Sequence, residues 1–378
     1  MKKFLLVTNF CPFYRIKLYK ILNDELKLKI LFYSAGTEKY WEASNAQGKK
    51  EAQNIYLADD GANKLVILWR YVKVLFSSET KGVIQGFNGA AFIFLGYLIA
   101  RLRGIPFGIW TGLWYHPKTF FHTLTKPFTD FIYRHADFAI VYGTHIKDYL
   151  INKGVKADKI TVAQNTADNE LYVKTPTEEE KQAIINKFGL SGGKPLLLFV
   201  GRLCEEKGIK YIFEALKKLK EPPQLLLLGH GELKEELEKT AKDNSLPVIF
   251  GDYVKNDELY AYYALADIVL VPSVTTKTFK EPWGLIVNEC MNQGCVVIAS
   301  DAVGAAAGGL VEDGRTGFIV PERDPEKLAA AIEKLTNDEA LREKLSQNAK
   351  AKIAAWDYDH MAEGFRQALA LMEEKLKK

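Results

Sequence analysis

Short apolar runs alternate with amphipathic, helix-like stretches through nearly all of the 378 residues. Runs such as Leu196–Val200 and Leu225–Leu228 have no polar residues at alternate positions, which is typical of parallel strands covered on both faces. The predicted strands are 4–8, 28–33, 83–85, 107–111 and 138–142, then 196–200, 224–228, 248–250, 268–271 and 296–299. Strand–helix alternation at this spacing predicts an α/β protein with two Rossmann-like, doubly wound domains.

A turn-rich stretch separates the two strand series. Residues 174–195 contain Pro176, a charged helix-like segment and the sequence Ser-Gly-Gly-Lys-Pro. This composition between two buried strands predicts a linker with one bridging helix. We therefore predict an N-terminal domain at 1–172 and a C-terminal domain at 173–356.

Charge and aromatic residues are unevenly distributed between the halves. The net charge is only +4, but residues 1–170 hold 23 Lys and Arg against 14 Asp and Glu, and 29 of the 45 aromatic residues. The apolar run 90–100 is followed by Arg101 and Arg103, and further aromatics alternate with lysines: Trp110, Trp114, Tyr115, Lys118, Phe120, Phe121 and Lys126. This pattern predicts that the first half works at an anionic membrane surface, unless these aromatics are core residues.

Several protein classes are excluded. The four cysteines lack the close spacing of zinc ribbons and disulfide frameworks, which predicts reduced thiols and a cytoplasmic protein. No apolar run approaches the roughly 20 residues of a membrane-spanning helix. No G-x-G-x-x-G follows the first strand, which counts against a dehydrogenase. The net charge is too small to indicate a nucleic-acid-binding protein.

The stretch from Pro272 to Gly294 contains two carboxylates, Glu281 and Glu289, eight positions apart. If the interval were fully helical it would span roughly 12 Å. Free amide groups at Gly284, Leu285 and Ile286, near a helix start, are suited to a phosphate between the two acids. The alternative interpretation is an ordinary helix with two solvated acids.

A second group of residues follows the strand Leu196–Val200. Arg202 and Lys207 come between Gly201 and Gly208, in a position suited to a diphosphate. Alternatively, Glu205 and Glu206 neutralise both cations. After the next strand, Gly229 and Gly231 allow close approach of a ligand to the backbone, although two such glycines are more often only a turn.

These motifs occur in one order and resemble a known family. The series is Asn165-x-x-Asp168, Gly201-Arg202-x4-Lys207-Gly208, Gly229-x-Gly231-Glu232, Ala266-Asp267-x-x-Leu270-x-Pro272-Ser273, Glu281-Pro-Trp-Gly-x4-Glu289 and Asp313-Gly-x-Thr-Gly317-Phe-x-Val-Pro321. It is similar to family 4 of the retaining, nucleotide-sugar-dependent glycosyltransferases, which have the E-x7-E motif. The resemblance is close over 160–325 and loose over 1–160. It implies the GT-B fold, with two Rossmann-like domains facing across a cleft and a C-terminal helix, about 357–378, returning to the first domain.

The resemblance implies roles for individual residues. Arg202 and Lys207 bind the donor diphosphate, Glu281 faces the donor sugar, and Glu289 holds the ribose hydroxyls. Further donor contacts are expected from Gly201, Gly229, Gly231, Asp252, Tyr253, Val254, Gly284, Leu285 and Ile286. His116 is expected at the catalytic centre, and Arg15, Trp110 and Thr111 on the acceptor side. Two departures stand out: Pro12–Arg15 replaces the usual glycine-rich loop, and residues 304–309 lack the family's Gly-Gly-x-x-Glu.

The expected reaction is retaining, metal-independent transfer from a UDP- or GDP-sugar to a lipid-linked or cell-surface glycan precursor. The Asp357-Tyr-Asp359 sequence matches a manganese-binding D-x-D motif, but between two helices it is better interpreted as a helix cap. No metal or other cofactor is predicted. Two alternatives remain: a nucleotide-sugar epimerase of the same fold, and a non-catalytic protein that binds nucleotide sugar.

Overall fold

The computed structural model describes residues 2–34, 55–58, 63–87, 89–192 and 194–377. The chain divides into two compact units. Unit 1 comprises residues 1–116, 120–165 and 358–378, and unit 2 comprises 117–119 and 166–357. Each unit contains one parallel sheet with helices packed on it, which confirms the predicted pair of Rossmann-like domains.

Unit 1 has seven strands within the described residues, in the order β3-β2-β1-β4-β5-β6-β7. Their bounds are β1 Lys3–Thr8, β2 Lys29–Phe32, β3 Ile55–Tyr56, β4 Thr80–Gly86, β5 Phe107–Thr111, β6 Phe138–Val141 and β7 Ile160–Val162. All neighbouring strands are parallel. The order changes direction at β1, and this is where a doubly wound sheet opens its ligand-binding edge.

The helices of unit 1 cover both faces of this sheet. Their bounds are α1 Ile16–Asp24, α2 Lys64–Phe76, α3 Ala90–Leu102, α4 Phe120–His135, α5 Thr144–Asn152 and α15 Tyr358–Lys377. In β1, Leu5 and Val7 pack in one cluster with α2, α3, α4 and α5, whereas Phe4 and Leu6 pack in another with α1 and α15. Because successive strand residues point to opposite faces, the two clusters are the two sides of one sheet.

Unit 2 has a six-strand sheet, counted over the part of the chain that the structure describes, in the order β10-β9-β8-β11-β12-β13. The strands are β8 Leu197–Val200, β9 Leu225–Leu228, β10 Val248–Gly251, β11 Ile268–Val271, β12 Val296–Ser300 and β13 Gly317–Val320. The helices are α6 Asn169–Tyr172, α7 Glu178–Phe188, α8 Ile209–Leu216, α9 Lys234–Asp243, α10 Leu259–Leu265, α11 Ile286–Met291, α12 Gly304–Ala307, α13 Pro325–Asn337 and α14 Glu339–Ala354. The central strands β8, β9 and β11 are apolar throughout, and β12 is apolar up to its last residue, Ser300.

The predicted linker is part of unit 2. The boundary falls between residues 165 and 166, not between 172 and 173, and α7 packs on α10. A capping box between Thr177 and Glu180 starts α7, and Gly189 ends it in the left-handed conformation. Two residues of the predicted linker, Thr177 and Gly189, are thus the caps of α7. Gly193 lies outside the described residues. Three strands, β3, β7 and β13, were not predicted.

The last helix, α15, packs on unit 1. Gly364 lies against β7, and a Cβ atom there would collide with the carbonyl oxygen of Val162 and the backbone of Ala163. The Tyr358 hydroxyl donates to the carbonyl oxygen of Tyr14, and Lys375 pairs with Asp137. In the described part of the chain, no helix combines the length and hydrophobicity needed to cross a membrane.

Gly364→Val should lower the free energy of unfolding by about 2 kcal/mol, because the new side chain forces α15 away from β7. Thermal melting measures the loss. Ala370→Val is the matched control, since it adds a β-branched residue to an exposed position of the same helix. Equal melting temperatures for the two variants would contradict the close packing.

Candidate active site

The loops that follow β8 and β9 are in backbone contact at the carboxyl edge of the unit 2 sheet. Gly229 and Gly231 have φ values of +146° and +158°, which favour glycine. A Cβ at Gly229 would collide with the carbonyl oxygen of Gly201, and one at Gly231 with that of Leu203. The glycines predicted to approach the donor therefore also fix the loop that contains Arg202.

Arg202 and Lys207 lie in this loop, but they have different partners. Arg202 forms a partly buried ion pair with Glu206, at 2.9 Å between Nη2 and Oε1. Lys207 ends a single 3-10 turn and pairs instead with Glu281. Gly208 follows with φ of +67°, where a Cβ would collide with the carbonyl oxygen of Pro272. The interpretation that neighbouring acids neutralise both cations therefore holds for Arg202 and fails for Lys207.

Glu281 is a buried carboxylate, 7% exposed, and several groups hold it in place. Its Oε2 accepts hydrogen bonds from Lys207 Nζ and, at 3.1 Å, from Ser273 Oγ. Ser300 Oγ in turn donates to the carbonyl oxygen of Ser273. Sequence reasoning missed both serines. Of the two, only Ser273 could have been identified from sequence, because it follows a predicted strand and ends the motif that contains Pro272.

Glu289 lies on α11 and is partly buried. The Tyr263 hydroxyl donates to its Oε2 at 2.7 Å. Burial raises the pKa of this carboxyl to about 6, although hydrogen bonds from Tyr263 and Tyr172 oppose the shift. Glu289 therefore carries its full charge only above neutral pH, which sequence spacing alone did not predict.

The segment between the two acids is fixed by Trp283. This side chain is buried, and its Nε1 donates to Asn288 Oδ1 at 2.7 Å. Gly284 has φ of +88°, and α11 begins two residues later. The amides at Gly284, Leu285 and Ile286 thus lie at the start of a short helix, where N–H groups have no acceptor within the helix.

The predicted base-binding segment follows β10. Asp252 forms an exposed ion pair with Lys234, at 2.6 Å. Tyr253 is 42% exposed, and its ring centroid is 6.2 Å from that of His230. Asp252, Tyr253 and Val254 therefore border the loop that contains Gly229 and Gly231.

The residues predicted on the acceptor side are buried in unit 1. Arg15, Trp110 and Thr111 are 3%, 4% and 2% exposed. The Arg15 guanidinium lies over the rings of Tyr14, Trp110 and Tyr142 and donates to Asn165 Oδ1. These side chains pack inside the unit, and their acceptor-side role stays a prediction.

His116 lies five residues after β5 in unit 1 and is partly buried. One of its ring nitrogens, Nε2, is 2.7 Å from the carbonyl oxygen of His122. Its role at the catalytic centre stays a prediction.

Within the described ranges, no group of three or more His, Cys, Asp or Glu side chains is arranged to hold a metal ion. Asp357 immediately precedes α15, and Asp359 is in its first turn, the position where an acid stabilises a helix. The four cysteines, all within the described residues, are buried and form no disulfide.

The raised pKa of Glu289 predicts a specific pH dependence of stability. The folded protein holds this proton up to about pH 6, whereas the unfolded chain releases it near pH 4.5, the ordinary pKa of a glutamate. Relative to Glu289→Gln, the wild type should lose about 2 kcal/mol of unfolding free energy as pH rises from 4 to 7. Denaturant titrations of both proteins give this difference. A difference that is constant with pH would contradict the shift.

Residues 180–352 match the family model described as glycosyl transferases group 1. An alpha-D-kanosaminyltransferase from Streptomyces kanamyceticus is 28% identical over 291 residues, which cover 73% of this chain and 72% of that protein. A sulfoquinovosyl transferase from Arabidopsis thaliana is 27% identical over 293 residues, covering 73% of this chain and 54% of the plant protein. The chain thus spans about half the length of the plant relative.

Solved structures share the fold over nearly the whole chain. Anabaena HepE in complex with UDP has a TM-score of 0.77 at 19% identity, covering 98% of this chain and 100% of that chain. Sucrose-phosphate synthase from Thermosynechococcus elongatus has a TM-score of 0.73 at 20% identity, with the same coverage. At these identities the likeness establishes the fold. Together with the family match at 180–352, just under half of the chain, it supports a glycosyltransferase with the GT-B fold.

Proposed function

We propose that this enzyme transfers a sugar from a nucleotide diphosphate sugar, such as a UDP- or GDP-sugar, with retention of anomeric configuration. The observation that carries the proposal is the contact among Lys207, Glu281 and Ser273 at the carboxyl edge of the unit 2 sheet. A buried acid paired with a lysine, beside a second cation, is suited to a sugar diphosphate. Anabaena HepE, which shares the fold, has been crystallised with UDP-glucose.

The diphosphate is bound in this proposal by Arg202, Lys207 and the amides at 284–286. A lysine ammonium has three donors, so Lys207 can hold Glu281 and a phosphate oxygen together. The Arg202–Glu206 pair is still open to solvent on the arginine side, 39% exposed, and is worth about 1 kcal/mol, so Arg202 can exchange Glu206 for the diphosphate at modest cost. Both cations then stabilise the negative charge that grows on the leaving nucleotide.

Glu281 and Glu289 orient the two sugars of the donor. Lys207 and Ser273 fix the Glu281 carboxylate, which we assign to the hydroxyls of the transferred sugar. Glu289 accepts from the ribose hydroxyls, and the loop of Asp252, Tyr253 and Val254 borders the base. Because fixed donors and acceptors need not reorganise during the reaction, this arrangement favours the transition state.

The acceptor in this proposal is a lipid-linked or cell-surface glycan precursor, met at the cytoplasmic face of the cell membrane. The basic, aromatic-rich first half supports this assignment. His116 remains the proposed unit 1 residue at the catalytic centre.

Lys207→Ala and Glu281→Gln should each lower turnover at least about 100-fold, because each removes a group that acts on the donor in the transition state. Release of nucleotide from a panel of UDP-, GDP- and ADP-sugars measures this loss without a known acceptor. Each variant should still be folded at the assay temperature, which thermal melting checks, although each substitution leaves the partner charge without its ion pair.

The matched controls are Lys218→Ala and Glu326→Gln. These residues form an ion pair of the same type, at 2.5 Å, on the exposed surface of unit 2. They should retain wild-type turnover. Near-normal turnover in Lys207→Ala or Glu281→Gln, with unchanged melting, would refute the site assignment.

Removal of divalent metal should leave activity unchanged, because Arg202 and Lys207 supply the positive charge at the leaving diphosphate. Nucleotide release measured with EDTA should match that measured with added Mn²⁺ or Mg²⁺. A strict dependence on Mn²⁺ would show that the cations of the chain are insufficient.

A further inference from the structure

Most of the exposed large apolar side chains lie on one layer of unit 1. Helices α2, α3 and α4 carry eleven of the fifteen exposed large hydrophobic residues found in the described ranges. We define the α2–α4 face by these residues: Leu65, Val66, Trp69, Phe76, Phe94, Leu98, Leu102, Phe120, Phe121, Leu124 and Phe131. Soluble proteins rarely expose so many apolar groups on neighbouring elements, and such patches mark interaction sites.

The three helices form a continuous layer. The rings of Tyr71 in α2 and Phe92 in α3 pack at 5.2 Å, and those of Phe94 in α3 and Phe128 in α4 at 5.0 Å. On α3, the exposed residues Phe94, Leu98 and Leu102 recur every four positions and form one stripe. The opposite sides of these helices pack on the sheet, so the stripes lie on the outer surface of the layer.

The charged residues on these three helices are basic, with the exception of one acid on α4. Helices α2 and α3 carry Lys64, Arg70, Lys73 and Arg101 and contain no acidic residue. On α4, the single acid, Asp130, is held by Lys126 and Lys153. Lys64 and Lys73 are exposed, and the Lys73 ammonium lies 5.4 Å from the ring centre of Trp69.

We propose that the α2–α4 face docks on an anionic lipid bilayer. Aromatic residues prefer the headgroup level of a membrane, and lysines beside them are attracted by anionic lipid. A second copy of the chain fits less well, because a two-fold interface would bring the basic faces together. The inference deepens the proposed function, since it rests on the lipid-carried acceptor proposed there and adds the surface that meets the lipid.

The structure also corrects which residues of the predicted membrane segment are available. Trp110 is buried, and Trp114 packs edge-on against the ring of His145 at 4.8 Å. Phe120 and Phe121 are exposed, as a membrane contact requires. Leu65 and Trp69 on α2, which the sequence did not single out, are 77% and 63% exposed and extend the surface.

The test is co-flotation of the full chain with phosphatidylcholine vesicles, with and without phosphatidylglycerol. Wild type should float only with the anionic vesicles, and less at raised salt. The double variant Leu65→Glu/Trp69→Glu should lose flotation. Lys64→Gln and Lys73→Gln should each weaken partitioning about fivefold, the factor that corresponds to about 1 kcal/mol for each basic residue.

The matched control is Val173→Glu/Leu376→Glu, which places the same charges at exposed apolar positions outside the α2–α4 face. This variant should float like wild type. Flotation of Leu65→Glu/Trp69→Glu at the wild-type level, or absence of wild-type flotation, would overturn the proposal. A wild-type dimer in light scattering that Leu65→Glu/Trp69→Glu converts to monomer, without vesicle binding, would assign the face to a second copy.

Nucleotide release without vesicles separates this inference from the proposed function. Leu65→Glu/Trp69→Glu should release nucleotide from the donor at the wild-type rate. If the wild type releases nucleotide but does not float with anionic vesicles, only the proposed membrane surface is refuted. Flotation without release from any sugar nucleotide would refute the proposed donor chemistry and leave the membrane surface standing.

Discussion

A parallel strand buried on both faces leaves room for polar chemistry only at its ends. In unit 2, β8, β9 and β11 are apolar throughout, and β12 is apolar up to its last residue, Ser300. The carboxyl ends of these strands meet at one edge of the sheet. Arg202, Gly229 and Ser273 lie in the loops that begin there. The candidate site is therefore a consequence of the sheet: the same burial that stabilises the strands excludes polar groups from every other part of them.

The ion pair of Lys207 with Glu281 needs this setting. Removing two charges from water is costly unless further hydrogen bonds satisfy them. Ser273 and Ser300 extend the network into β12, and the backbone contact between Gly208 and Pro272 brings the lysine loop to the acid. Loss of either charged partner leaves the other buried and unpaired. Neutral substitutions here should therefore lower stability as well as turnover.

The main features of the fold and of the donor site could be predicted from sequence because their signals are local. Apolar runs identify the central strands, and the spacing of Glu281 and Glu289 marks the site. Short strands, and side chains whose partners lie elsewhere in the sequence, could not be predicted. β3 has two residues and β7 has three, too few to show a pattern. The surroundings of Arg15 depend on such partners, because two of the three rings around its guanidinium, Trp110 and Tyr142, come from distant parts of the chain. Ser273 acquires its role only when Glu281, eight residues away, folds back to it.

The uneven charge of the chain has a different physical basis in each unit. In unit 2, the cations of the site lie among acids, so Arg202 and Lys207 already have partners that a diphosphate must replace or share. In unit 1, part of the basic excess is neutralised locally: Arg101 pairs with Asp137 and Lys81 with Glu373. Helix α2, by contrast, has no acid of its own, and Lys64 and Lys73 remain exposed beside Leu65 and Trp69. The sequence could show the excess of positive charge, but not that it lies beside exposed apolar side chains. That combination, rather than the net charge, favours an anionic bilayer over a dissolved anion as the partner of this face.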